Sequence, residues 1–146
     1  MVSEELKTII DTLNKQCQLS NSKMDFFEEA TEEQIFEFEK SNNLTLPSKF
    51  KEWLLFSDGG ECFLPVGVQF YGIAHKPLID VNDNNRPDDS YVVIGTLPSG
   101  DPILVEKDSE KVSIYNQEAG RIEDDEMYDN FFAFLNDLYD ILGIGE

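Results

Sequence analysis

The sequence predicts an α+β fold: N-terminal helices, a central mostly antiparallel or mixed sheet, and a C-terminal helix packed on it. Three observations carry this prediction. Apolar residues recur at helical spacing as far as Leu54 and again from Phe131, while the segment between them is strand-like. The elements come in blocks (helices, then strands, then a helix) and not as alternating βαβ units. One stretch, Leu44 to Gly60, reads as a helix with a marked start, a marked stop and an aromatic inner face.

Ser3 is placed to cap a first helix, with Glu4 and Glu5 in its electropositive first turn. Leu6, Ile9, Ile10 and Leu13 form its apolar stripe. Residues 18–30 read as irregular, with a short turn near Met24–Phe27. Thr31 opens a second helix, and Gln34 three residues on completes a capping box. Ile35 and Phe38 face inward, Glu32, Glu33, Glu37 and Glu39 face out, and Asn42-Asn43 close the helix in the left-handed region. Pro47 suits the first position of a third helix, since its missing N–H is not needed there. Phe50, Trp53 and Leu54 follow at i, i+3, i+4, and Asp58-Gly59-Gly60 stops the helix.

After Gly60 the pattern changes. Glu61–Leu64 and Val66–Ile73 read as strands, with Pro65 breaking or edging the first. Asp80–Ser90 is a polar loop. Tyr91–Gly95 is β-branched and almost continuously apolar, as in a strand buried on both faces. Ser99-Gly100-Asp101 marks a turn. Pro102–Glu106 and Val112–Tyr115 flank the charged turn Lys107–Lys111 as a hairpin, and Arg121-Ile122 adds a short edge strand. The last helix runs from about Asp129 to Leu142, with Phe131, Leu135, Leu138, Tyr139 and Leu142 on its inner face.

The 146 residues are about the length of one domain. That is enough to bury a core without a metal or disulfide. No Gly/Ser/Pro-rich linker divides them, so a single domain over 1–146 is expected. Thirty acidic residues face eleven basic ones, a formal net charge of -19. Such a chain repels nucleic acid and anionic membrane surfaces and attracts a basic partner. The charge is densest in residues 101–146, which hold 13 acids and 3 bases. The acidic N-terminus has no signal-peptide pattern and no apolar run approaches membrane-spanning length, so a cytoplasmic location is expected. Cys17 and Cys62 lack metal-ligand spacing and read as free, buried thiols in a reducing compartment.

Residues that could carry chemistry are few. His75 is the single histidine and reads as a loop residue, because no nucleophile motif accompanies it. The loop Asp80-Val81-Asn82-Asp83-Asn84-Asn85 starts like a calcium loop. It then places Asn85 where the glycine belongs and Tyr91 where the bidentate glutamate belongs. A hydrolase needs two carboxylates held across a cleft, and the sequence singles out no such pair. Phosphate-binding loops, Cys/His metal sets and basic-aromatic faces are also missing. No catalytic residue, cofactor or metal ligand is therefore assigned. Most aromatics fit core positions. Phe36, Phe56 and Phe132 fall off their main apolar stripes, which points to neighbouring elements or to a binding surface.

Three groups of residues, in order, resemble the SUKH superfamily over about residues 31–142. The first is Ile35, Phe38-Glu39, Leu44, Leu46-Pro47, Phe50, Trp53-Leu54-Leu55 and Asp58-Gly59-Gly60. The second is Tyr91–Gly95 followed by Gly100-Asp101, and the third is Phe131 with Phe134-Leu135. Asn130 stands where the family often has serine, and Phe132 where a polar residue is usual. The family includes a fungal regulator of cell-wall assembly and many small bacterial immunity proteins. The resemblance implies a non-catalytic antitoxin whose partner is a basic toxin domain, often a nuclease, neutralised by occlusion. Charge density places the partner-binding surface at Asp101, Glu106, Asp108, Glu110, Glu118, Glu123, Asp124 and Asp125. The fungal members imply an alternative, an interaction scaffold or regulator in a cell-envelope or signalling pathway. A carboxylate-dependent hydrolase would require a deep cleft with paired, buried carboxylates.

Overall fold

A computed structural model describes residues 3–142. Helix α1 (Glu4–Leu19) is capped by the Ser3 hydroxyl, which accepts the Leu6 N–H, and it buries Leu6, Ile9, Ile10, Leu13 and Cys17. Helix α2 (Glu32–Asn42) starts with the predicted capping box between Thr31 and Gln34 and ends on Asn43 in the left-handed region, φ 53°. Helix α3 (Ser48–Leu54) is shorter than predicted and begins one residue later, with Pro47 as its cap. It stops because the chain tightens there: Phe56 N–H bonds the Trp53 carbonyl, and Asp58 N–H turns away to the Glu28 carbonyl. Gly59 and Gly60 then take positive φ. A Cβ on Gly59 would sit 2.7 Å from the Phe70 carbonyl oxygen, so the turn also needs a glycine for space.

Among the described residues, seven strands follow one another across a single antiparallel sheet in chain order. They are β1 (Lys23–Asp25), β2 (Gly60–Leu64), β3 (Val68–Phe70), β4 (Tyr91–Thr96), β5 (Pro102–Glu106), β6 (Val112–Asn116) and β7 (Arg121–Tyr128). Helix α4 (Phe131–Ile141) closes the fold, buries Phe131, Phe132, Phe134, Leu135 and Leu138, and lies against α1 and α3. Asn130 caps α4 by accepting the Ala133 N–H. Asparagine supplies a short acceptor there, as a serine would.

Three strands differ from the sequence reading. β1 lies within a segment read as irregular. It has three residues and exists through its pairing with β2, Lys23 opposite Leu64 and Asp25 opposite Glu61. β3 is confined to Val68–Phe70, because Gly72 leaves the ladder to bond the carbonyl of Pro77. β7 extends past Arg121-Ile122 to Tyr128 and is the longest strand, through a polar run that no strand propensity marks.

The core is one cluster shared by the helices and the sheet. Trp53 lies at its centre, fully buried. Its ring meets Phe26, Phe56, Phe70 and Phe131 edge-on at centroid distances of 5.5–6.1 Å. The indole N–H donates to the Gly59 carbonyl at 3.0 Å. Of the three off-stripe aromatics, Phe56 joins this cluster and Phe132 is buried with the Lys49 ammonium 4.6 Å from its ring centroid. Phe36 alone remains 61% exposed. Cys17 and Cys62 are free and buried, and burial pushes both thiols up, as expected of inert packing residues.

Gly95 sits beside an irregularity in the β4–β5 ladder, where Val93 pairs Leu104 and Gly95 pairs Ile103. A Cβ there would collide with the main-chain carbonyl of Gln69 on β3. Gly95→Ala should therefore lower stability by about 2 kcal/mol or more. A urea midpoint indistinguishable from that of the parent would refute the close approach.

Candidate functional site

The eight sequence-predicted acids lie on the last three strands and their turns, and the hairpin geometry divides them. β5 and β6 are antiparallel, so the turn 107–111 lies at one end of the pair while Asp101 and the turn 117–120 lie at the other. A five-residue strand puts roughly 16 Å between those ends.

At the first end, Asp108 and Glu110 are committed to the main chain of the helical layer. Asp108 Oδ1 accepts the Thr45 N–H at 3.0 Å, and the Asp108 N–H donates to the Thr45 carbonyl. Glu110 caps α3 from outside. Its carboxylate accepts the Ser48 N–H at 2.8 Å, the Ser48 hydroxyl at 2.9 Å and the Lys49 N–H at 3.3 Å. Pro47, as cap residue, offers no side-chain acceptor, so a carboxylate distant in sequence fills the role. Burial by itself would raise the Glu110 carboxyl. The bonds from Ser48 and Lys49, with the Lys49 charge, outweigh burial and hold it below the ordinary glutamate value.

At the second end, Asp101, Glu123 and Asp125 come together with Glu126. Asp101 accepts the Gln117 N–H, and Glu123 pairs with Arg121 at 3.2 Å. The β6–β7 ladder pairs Ser113 with Met127 but Tyr115 with Ile122, which leaves Glu123–Glu126 together opposite Ile114. β7 therefore bulges, and its bulge is the acidic run. Burial first, then the charges of Asp125, Asp101 and Glu123, push the Glu126 carboxyl up. Glu126 belongs to this group and was missed. The run of four acids was the available signal, but only the register shows that its last member joins the others. Asp124 and Glu118 are exposed nearby in sequence, and Glu106 lies opposite Tyr91. Burial raises the Tyr91 phenol, and the charges of Glu106 and Asp88 add to it.

A further carboxylate was read only as part of a helix stop. Asp58 is fully buried. It accepts the N–H groups of Ile73, Ala74 and His75 at 2.7–3.0 Å and contacts His75 Nδ1 at 3.0 Å. Three converging amides make a nest for one carboxylate. The neighbouring Ser57 hydroxyl donates to the Gly59 carbonyl and accepts the Phe27 N–H. The arrangement clamps the loop after β3 to the end of α3, and places His75 in that loop as the sequence reading expects.

Among the described residues, no group of histidines, cysteines and carboxylates is arranged to hold a metal ion, and no helix is long and apolar enough to cross a membrane. The surface instead offers a bulged acidic edge on β7, a carboxylate-riveted turn at 107–111, and shallow grooves along α2. Residues 29–137 match the SMI1/KNR4 family (SUKH-1). No curated protein matches the chain.

Two outcomes test the roles of the structural carboxylates. Asp58→Ala leaves three amides without their acceptor and should cost about 3 kcal/mol in denaturant unfolding. Glu110 has a lowered folded-state pKa, so its contribution is present above the ordinary glutamate value of 4.5 and disappears as pH falls through the folded value. Glu110→Gln should cost about 1 kcal/mol at neutral pH. It should also flatten the acid side of the stability–pH curve; a variant curve parallel to the parent's would contradict the capping role.

Proposed function

The chain belongs to the SMI1/KNR4 family (SUKH-1), and on that premise we propose that it is a non-catalytic immunity protein that binds and neutralises a cognate bacterial toxin in the cytoplasm. The family includes toxin immunity proteins and cell-wall regulators. The observation that carries the immunity reading is the net charge of -19, denser over residues 101–146, with 13 acids and 3 bases, than over residues 1–100. The fold would act as a single domain over 1–146.

The partner in this reading is a basic toxin domain, with nucleases the leading class. A nuclease presents a positive surface to its anionic substrate, and an acidic protein competes for that surface. Long-range attraction speeds the encounter and like charge rejects wrong partners. In this reading the labour divides among the eight acids. Asp101, Glu118, Glu123, Asp124 and Asp125, with Glu126, form the face offered to the toxin. Asp108 and Glu110 keep the turn 107–111 in place, and Glu106 extends the charge along β5. Occlusion requires no chemistry from the antitoxin, only a negative face held rigidly by the sheet.

The test uses the toxin encoded beside this chain's gene. Lysine replacements at Glu118, Glu123, Asp124 and Asp125 should slow association by about tenfold or more at low ionic strength. They should also flatten the dependence of the rate on salt. Affinity unchanged at low ionic strength would place the contact elsewhere. The absence of any toxin gene in the neighbourhood would remove the immunity reading itself.

A further inference from the structure

We infer that helix α2, centred on Phe36, is a docking face for a basic protein segment that carries an apolar side chain beside lysine or arginine. The inference rests on the reading of a basic protein partner given above, and adds where that partner makes its apolar contact.

α2 is an unusual helix for this fold. Ile35 is its one fully buried residue, whereas α1 and α4 each bury five. Phe36 stands 61% exposed at mid-helix, next to Ile35 but turned by the helical step away from the core. A depression of about 440 Å³ lies between α2 and α3 on one side of Phe36, floored by Ile35 and Leu55. A second of about 570 Å³ adjoins it at Phe36 and runs to Leu44, Thr45 and Asp108. The two share Phe36 and Glu39, so they adjoin at the aromatic ring and are together called the groove. The turn 107–111, riveted to Thr45 and Ser48, makes the far wall, which gives the groove a fixed shape.

Charge selects the occupant. The groove is lined by the carboxylates of Glu32, Glu39, Glu52 and Asp108 against the ammonium groups of Lys40 and Lys51. Lys51 is already paired with Glu39 at 3.2 Å. Glu33 and Glu37, exposed on the same helix, border the neighbouring depression toward Phe38 and Ile73 and add negative charge beyond the groove. The rim is therefore negative around an apolar centre. A second copy of this chain would bring an identical negative rim and a charge of -19 to the contact, which opposes self-docking. A basic amphipathic segment supplies both complements: its apolar residue covers Phe36 and Leu55, and its flanking lysines or arginines meet Glu32, Glu33 and Glu37. A groove with one central aromatic and an acidic margin has the anatomy of a protein-binding hot spot.

The probe is a synthetic amphipathic helix of lysine and leucine with a single tryptophan, titrated into the whole chain; a glutamate–leucine counterpart is the control. The lysine peptide should bind, blue-shift its tryptophan emission, and move the amide resonances of Glu32, Phe36, Thr45 and Leu55. Phe36→Ala should keep the far-ultraviolet spectrum of the parent, because the ring is exposed, and weaken binding by about tenfold. Equal binding of the glutamate peptide would overturn the charge argument. Resonance shifts confined to Glu123–Glu126, with Phe36→Ala silent, would overturn the α2 face while leaving the proposed toxin-binding edge standing. Failure of the β7 lysine replacements to slow the toxin, with the α2 resonances still moving, would do the reverse. A concentration-dependent dimer in sedimentation, dissolved by Phe36→Ala, would name a second copy as occupant and overturn the inference.

Discussion

The burial of Trp53 is the constraint on which the other packing decisions depend. Its ring is in edge contact with aromatics from four parts of the chain: Phe26 beside β1, Phe56 after α3, Phe70 on β3 and Phe131 on α4. Such pairs add about 0.5–1.5 kcal/mol each beyond area burial. An indole sunk this deeply must also satisfy its N–H. The Gly59 carbonyl does so, which fixes the position of the turn after α3. That turn starts β2 and, through Asp58, holds the loop at 73–75. One apolar contact set and one hydrogen bond thus relate the helical layer to the sheet.

Carboxylates carry out a second kind of work. A negative charge of this size destabilises a compact state through self-repulsion. Several acids offset that cost locally by accepting main-chain N–H groups. Glu52 takes Ser3, Glu39 takes Leu46, Asp108 takes Thr45, Glu110 takes Ser48 and Lys49, and Asp58 takes three amides. An ionised carboxylate only accepts, so it suits the donors left over at helix starts and in loops. Acids outside this set include those exposed on α2 and on the β7 edge. An edge strand exposes unpaired main-chain groups, and both a bulge and like charge keep it from pairing with another copy. The same features leave that edge negative and unpaired.

The capping box at Thr31, the left-handed Asn43, the apolar stripes of α1 and α4, the buried β4 and the β5–β6 hairpin are all local features, and they are readable in the sequence. The caps of α1, α2 and α4 and the side-chain periodicity are set by residues a few positions apart, so these features require no distant neighbour. The acids of residues 101–125 are equally visible as composition. Their division into a structural pair and an exposed edge is not, since it depends on where Ser48 and Thr45 lie in space.

Sequence alone therefore determined the class of fold, the order of its helices and of the strands after Gly60, the family resemblance and the sign of the surface. Tertiary structure decided the short strand β1, the full extent of β7, the burial of Asp58 and the exposure of Phe36. Each of these depends on a partner far along the chain. A three-residue strand is held by the strand it pairs with, a buried carboxylate by amides fifteen residues or more away, and an aromatic ring is left in water when no element happens to cover it.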